Sequence, residues 1–276
     1  MGLLENQVVA ITGGGGGQGY AHALASAREG ADVVLLDLAP ADSDLYARAV
    51  AAVESFGRTA YVFQADVASQ EALDAAAAAA VEAAGKVDAV IVNAGVTILG
   101  HFWEMPESVW DTTMRVNLTG AWKTAKAFMP HFIEREAGSF VMISSVDGID
   151  PEEEITAYGV SKAGVLALMK QVAYEAAAFG VRCNAISPGF IDTPMNNTQE
   201  MYDRLAGGPG LGTRDHLLDF GHQFTALKGV SLLEGADVAD TAIYLNSDLA
   251  RNVTGINIVV DAGHSLMNRL NPKPVR

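Results

Sequence analysis

Thr12-Gly-Gly-Gly-Gly-Gly-Gln-Gly19 joins the apolar run Val8–Thr12 to the helical stretch Tyr20-Ala-His-Ala-Leu-Ala25, and this junction decides the fold. Six of its eight residues are glycine, so the backbone can turn sharply and come close to a ligand that side chains would hold off. A strand leading in and a helix leading out is the setting in which such a loop cradles a pyrophosphate at the positive end of the helix dipole. A flexible linker is also glycine-rich, but it is not butted against a strand and a helix. Asp37 ends the next apolar run, about 20 residues on, where a carboxylate can bond the ribose hydroxyls of an adenosine. The loop holds no Lys or Arg and Asp37 is followed by Leu38, so nothing local would neutralise a 2′-phosphate. That favours NAD over NADP.

Outward from the loop, short β-rich runs alternate with longer Ala-rich helical stretches. The strands are predicted at Val8–Thr12, Asp32–Leu36, Ala60–Gln64, Ala89–Val92, Ser139–Ile143, Arg182–Ile186 and Ile256–Val260. Helices are predicted near 18–29, 43–57, 70–84, 107–135, 157–179 and 236–247. Strands that read as continuous Val/Ile runs belong to a parallel sheet covered on both faces. The βα alternation predicts an α/β fold, a doubly wound Rossmann-like sheet with ligands at the carboxyl ends of its strands. No linker or repeat divides the chain, which predicts one domain over 1–276. Met195–Leu233 breaks the rhythm with Gly207-Gly-Pro-Gly-Leu-Gly212 and an amphipathic stretch carrying Leu217, Leu218, Phe220 and Phe224. Such an insertion predicts a lid over a binding site. The polar segment His264–Arg276 predicts a solvated tail or an arm on a neighbouring subunit.

Bulk properties narrow the function. Of 276 residues, 50% are hydrophobic and only 18% charged, which suits a large core. The net charge of −15 opposes nucleic acid, anionic membranes and acidic carrier proteins as partners. A single cysteine, Cys183, forbids an intrachain disulfide and suits a reducing cytoplasm. No apolar run approaches the ~18 residues that span a bilayer, and the start MGLLENQVVAIT has no leader pattern. A soluble cytoplasmic protein is expected. The six histidines lack metal-ligand spacing, so no metal site is expected. Trp103, Trp110 and Trp122 are expected in the core or at a subunit interface, and His101-Phe102-Trp103 is within reach of a pocket mouth.

A second motif carries the chemistry. Tyr158-Gly-Val-Ser-Lys162 places Tyr158 and Lys162 at i, i+4 on one helix face. A free tyrosine, with a pKa near ~10, is a poor base, and an adjacent ammonium favours the phenolate. Ser145 follows the run Ser139–Ser144 at the carboxyl edge, thirteen residues before Tyr158, and its hydroxyl can bond a substrate oxygen. A Tyr-x-x-x-Lys pair alone is usually a surface pair; with Ser145 and the glycine loop it points to redox chemistry on alcohols and carbonyls.

From about Leu4 to Gly263 the chain resembles the short-chain dehydrogenase/reductases. The family's Thr-Gly-x-x-x-Gly-x-Gly matches Thr12, Gly13, Gly17 and Gly19, with Gln18 between the last two. Its adenine-pocket Asp-Val matches Asp66-Val67, and its Asn-Ala-Gly matches Asn93-Ala94-Gly95. Asn117, Ser145, Tyr158 and Lys162 match its catalytic tetrad, and Pro188, Gly189 and Thr193 match the segment that cradles the nicotinamide amide. Gly14, Gly15 and Gly16 make the loop barer than usual, and Asp261-Ala-Gly263 replaces a common Asp-Gly-Gly. The extended 195–233 region is similar to the carveol-dehydrogenase branch.

The resemblance implies a seven-stranded sheet, assembly as a homotetramer or homodimer through the long helices, and hydride transfer between NAD and a secondary alcohol or ketone. Tyr158 then exchanges the proton, and Lys162 lowers its pKa and binds the nicotinamide ribose. Ser145 polarises the substrate oxygen, and Asn117 holds a relay water. A 3-oxoacyl-carrier-protein reductase shares the tetrad, but Asp37 and the acidic charge oppose it. An NAD-binding redox sensor would tend to lose the Tyr-Lys pair. A nucleotide-dependent methyltransferase would gain nothing from Ser145, Tyr158 and Lys162.

Asp147-Gly-Ile-Asp-Pro-Glu-Glu-Glu154 puts five carboxylates in eight residues between Ser145 and Tyr158. A solvated loop is the plain expectation. The sharper one is that Asp147 and Glu153 face the pocket and favour a cationic amino alcohol, its apolar body against Phe190, Met195 and the 217–224 stripe.

Overall fold

The computed structural model describes residues 2–267. Seven strands, β1 (Val8–Thr12), β2 (Asp32–Asp37), β3 (Ala60–Gln64), β4 (Ala89–Val92), β5 (Gly138–Ile143), β6 (Val181–Pro188) and β7 (Asn257–Val260), form one sheet in the order β3-β2-β1-β4-β5-β6-β7. Every pairing is parallel. β1 and β4 are buried along their whole length, which is why they read as unbroken apolar runs. Each strand lies within two residues of its predicted ends.

Helices cover both faces: α1 (Gly17–Arg28), α2 (Ala47–Glu54), α3 (Gln70–Ala84), α4 (Glu107–Met114), α5 (Gly120–Arg135), α6 (Thr156–Ala176), α7 (Gln199–Ala206), α8 (Arg214–Phe224) and α9 (Gly235–Asn246). α3 shows how the chain specifies such a piece. Ser69 accepts from the Ala72 amide at its start, Gly85 ends it at φ +76°, and Leu73, Ala76, Ala77 and Ala80 make its buried side. One core, with Phe128, Phe132 and Met169, fills the side of α3, α5 and α6. The other, with Leu35, Tyr46 and Ile243, fills the side of α1, α2 and α9. Strand order reverses between β1 and β4, so a crevice opens there at the carboxyl ends.

The 195–233 region folds into α7 and α8. Its base is pinned where the Leu233 amide donates to Phe190 O (2.9 Å) and the Asp192 amide to Leu233 O (2.8 Å). One expectation is corrected. The tail does not begin as solvated chain: His264 is buried, its ring stacked on Phe224 at 3.5 Å, while 268–276 lie outside the described residues. Of the two places expected for the tryptophans, the core is excluded, since Trp103, Trp110 and Trp122 are all exposed in this chain. Among the described residues no helix is long and apolar enough to cross a membrane.

Candidate active site

The crevice is a cleft of ≈ 560 Å³. At one end lies the glycine loop. Gly13 (φ +64°) and Gly17 (φ +51°) adopt left-handed backbone that other residues rarely take. Gly13, Gly16, Gly17 and Gln18 line the cleft, whereas Gly19 does not. A β-carbon on Gly19 would stand 1.9 Å from Gly13 O, so its role is to let α1 pack against the loop. α1 has no side-chain cap at Gly16 and no acidic residue in its first turn. Its leading amides and dipole are therefore left for an anion. Gln18 is steadied by His22 (Nε2···Nε2, 3.3 Å), which burial pushes down to about 4.

Around this cradle, side chains knit strand ends together. Asn93 Nδ2 donates to Thr12 O (3.0 Å) and Gly13 O (3.3 Å), and Thr12 Oγ1 accepts from the Asn93 and Ala94 amides. Asp37 Oδ2 accepts from the Gly15 amide (3.2 Å), which fixes its carboxylate at the cleft edge. Asp66 Oδ1 holds the Ala68 amide (2.8 Å). Val67, Ala94, Gly95, Pro188, Gly189 and Thr193 line the cleft as expected. The residues fit a dinucleotide: an uncapped helix start, a loop bare of β-carbons and a carboxylate at the next strand end.

At the other end Ser145, Tyr158 and Lys162 come together. The Ser145 turn packs on α6 through two glycines. A β-carbon on Gly148 would meet the Lys162 backbone at 2.8 Å, and one on Gly159 would meet Asp147 O at 3.0 Å. Lys162, only 4% exposed, donates to Ile143 O (2.9 Å), and its Nζ lies 5.5 Å from the centre of the Tyr158 ring. Burial pushes its ammonium down to about 8, partly opposed by Asp147. Tyr158 is not held low, as the sequence suggested. Burial and the Asp147 charge push the phenol well above its ordinary value, against hydrogen bonds from Ser145 and Thr97.

Asn117 stands in a π-helical turn, Arg115–Thr119, between α4 and α5. It is 1% exposed and does not line the cleft. Its Oδ1 accepts from the Val96 amide (2.8 Å), and its Nδ2 donates to Val96 O (2.9 Å) and Ser161 Oγ (3.0 Å). With both amide protons committed, the side chain anchors the loop after β4 to α6.

The acidic stretch is fastened rather than solvated. Arg204 of α7 donates through Nε to Glu154 (2.9 Å) and through Nη2 to Glu153 O (2.9 Å), and lies 3.7 Å from Glu152. His101 meets Glu154 at 3.5 Å instead of lining the cleft. Asp147 lines the cleft as expected, but Glu153 does not; its side chain is exposed, and Glu152 lines the wall in its place. Phe190, Met195 and Phe224 form an apolar side, with Phe220 packed behind Phe190 at 5.4 Å and Leu217 fully buried. Sequence reading missed Thr97, Ile155, Met201 and Arg204 as lining residues. Regular spacing to the motifs, which found the others, is lacking for these four.

A doubly wound parallel sheet with an uncapped glycine cradle at its switch point defines a Rossmann-like nucleotide-binding protein. Residues 7–203 match the sequence model of the short chain dehydrogenases, and the chain belongs to that family of oxidoreductases. It is 36% identical to (-)-trans-carveol dehydrogenase of Rhodococcus erythropolis, over 96% of this chain and 100% of that one. It is 34% identical to an uncharacterized NAD-dependent oxidoreductase of Mycobacterium tuberculosis, over 95% and 97%. Among solved structures, carveol dehydrogenase from Mycobacterium avium in complex with NAD superimposes with a TM-score of 0.92 at 30% identity, over 97% of this chain and 100% of that one.

Proposed function

We propose that the protein is an NAD-dependent dehydrogenase interconverting an apolar secondary alcohol and its ketone. The observation that carries this is the cleft itself, with the glycine cradle and Asp37 at one end and Ser145, Tyr158 and Lys162 at the other. Bound NAD would supply the hydride acceptor, and its positive ring would favour ionisation of the groups beside it. The α1 amides with Gly13, Gly17 and Gln18 hold its phosphates, Asp37 its adenosine ribose, and Asp66 and Val67 its adenine. Asn93, Ala94, Gly95, Lys162, Pro188, Gly189 and Thr193 hold the nicotinamide half.

Tyr158 takes the alcohol proton in oxidation and returns it in reduction. Ser145 orients the substrate oxygen, Lys162 sets the local charge, and Asn117 keeps the loop after β4 in place. Phe190, Met195 and Phe224 suit a neutral apolar body, and the two carveol dehydrogenases among the relatives accord with an alcohol. A cationic amino alcohol has less support, because Arg204 brings positive charge to the same cleft beside Glu152 and Glu154. Exposed Trp110 and Trp122 on α4 and α5, and Tyr174 on α6, support assembly through these long helices.

The test is a screen of neutral secondary alcohols with NAD, read at the nicotinamide absorbance, on wild type and Tyr158→Phe. The variant should lose roughly 10²–10⁴ in kcat while binding NAD normally by calorimetry. Retention of a tenth or more of the activity would mean another group is the base.

A further inference from the structure

The carboxylate of Asp147 is built into the reacting end of the cleft. It follows Ser145 by two residues in a short 3-10 turn, Val146–Gly148, and the Asp147 amide donates back to Ser145 Oγ (3.2 Å). In the other direction Ser145 Oγ donates to Asp147 Oδ2 at 2.8 Å, so the carboxylate and Tyr158 share one hydroxyl. The turn is pressed on the first two turns of α6 by Gly148 and Gly159, so Asp147 is wedged against the helix that carries Tyr158 and Lys162. A surface carboxylate would be loosely held and screened by water; this one has a fixed donor and a fixed seat.

We propose that Asp147 is a positioning residue of the reaction: it competes with the substrate oxygen for the Ser145 hydroxyl and holds Tyr158 in its protonated form. The inference rests on the alcohol–ketone reading with Tyr158 as base. A negative charge close to a phenol disfavours the phenolate, so oxidation requires a more alkaline solution than a neutral residue at 147 would demand. In the reverse direction the same charge keeps Tyr158 ready as an acid. The groups facing Tyr158 are Ser145 and Asp147 from the turn after β5, Thr97 from the loop after β4, and Lys162 from its own helix. Glu152 and Arg204 line the same cleft and pair with each other. Asp147 is thus the carboxylate bonded to Ser145 at the reacting end of the cleft, and its charge acts on Tyr158 in the same direction as burial does.

The experiment is the pH profile of kcat/KM for alcohol oxidation in wild type, Asp147→Asn, Asp147→Ser and Asp147→Glu, with Tyr158→Phe alongside. Asp147→Asn and Asp147→Ser should move the acid limb to lower pH by about one unit, and Asp147→Glu should leave it near the wild-type position. Asp147→Ser should also lower the alcohol KM a few-fold, because Ser145 regains its proton for the substrate. Asp147 is only half-buried, so the neutral variants should fold, and activity in one suffices. An acid limb unmoved in an active neutral variant, with Tyr158→Phe inactive, would overturn the role of Asp147 and leave the base in place. Activity surviving in Tyr158→Phe would overturn both.

Discussion

Arg204 on α7 donates to Glu154 of the acidic loop at 2.9 Å, across fifty residues of sequence. The bond ties α7 of the inserted region to the acidic loop that follows the turn carrying Ser145 and Asp147. Glu154 is itself held in left-handed backbone (φ +66°), its carbonyl accepting from the Gly100 amide at 2.7 Å. Three segments that wall the cleft therefore meet at one residue.

Breaking that node should loosen the substrate end and spare the nucleotide end. The Arg204 side chain is 20% exposed, so its charge-assisted bonds count for more than a surface pair, on the order of 1–2 kcal/mol. Arg204→Ala should raise the substrate KM roughly tenfold, as that energy converts, leave the Kd for NAD unchanged, and hasten proteolysis within 195–233. An unchanged substrate KM would show that α7 is held by other contacts.

Gly19 and Gly16 lie in the same loop but should respond differently to alanine. At Gly19 the new β-carbon meets Gly13 O at 1.9 Å, and the loop or α1 must move. At Gly16 the backbone is extended (φ −155°) and the β-carbon meets Leu45 Cδ1 at an ordinary 3.6 Å. Gly19→Ala should cost about 2–3 kcal/mol, a fall of several degrees in Tm. Gly16→Ala should melt within a degree or two of wild type and show its effect in cofactor binding.

Asp37 sets the cofactor preference from two sides. Its carboxylate would stand beside a 2′-phosphate as a like charge, and Oδ2 also holds the Gly15 amide at 3.2 Å. Arg48 lies 4.1 Å over the ring of Tyr20 and does not line the cleft. The kcat/KM ratio of NAD to NADP should exceed ~100, and Asp37→Ala should cut it at least tenfold, about 1.4 kcal/mol. Part of the change should be a weaker fit to NAD, because the Gly15 amide loses its acceptor. Equal use of both cofactors by wild type would refute the assignment.

The strands were legible because each is a short apolar run between helical stretches, β1 and β4 being buried throughout, a pattern local to a few residues. The glycine loop, Asp37 and the Ser145–Tyr158–Lys162 group were legible through spacing. What was not legible depends on contacts distant in sequence. Glu152 rather than Glu153 faces the cleft because Arg204, some fifty residues on, fixes the loop's rotation. Asn117 was found by its motif, but the saturation of its amide by Val96 and Ser161 is a tertiary fact. The high pKa of Tyr158 follows from its burial and from Asp147, and i, i+4 spacing to Lys162 carries no information about either.

Lys162 should be a liability to the empty protein. Its folded pKa of about 8 lies below the ordinary lysine value of 10.5, so between these values the unfolded chain binds more protons than the folded one. Stability must then rise with pH across that window, and below pH 8 the burial of the ammonium is a full cost. A difference of this size corresponds to a cost of about 3 kcal/mol, and against its removal stands the bond to Ile143 O, about 1 kcal/mol, which a substitute would lose. Lys162→Met, which keeps the length and removes the charge, should therefore raise the Tm of the NAD-free protein by several degrees at pH 7 while abolishing turnover. The advantage should shrink as pH rises from 8 to 10.5. Thermal melts of both proteins across pH 6–11 would decide it: a gap independent of pH, or a less stable variant at neutral pH, would show that the ammonium is adequately solvated where it stands.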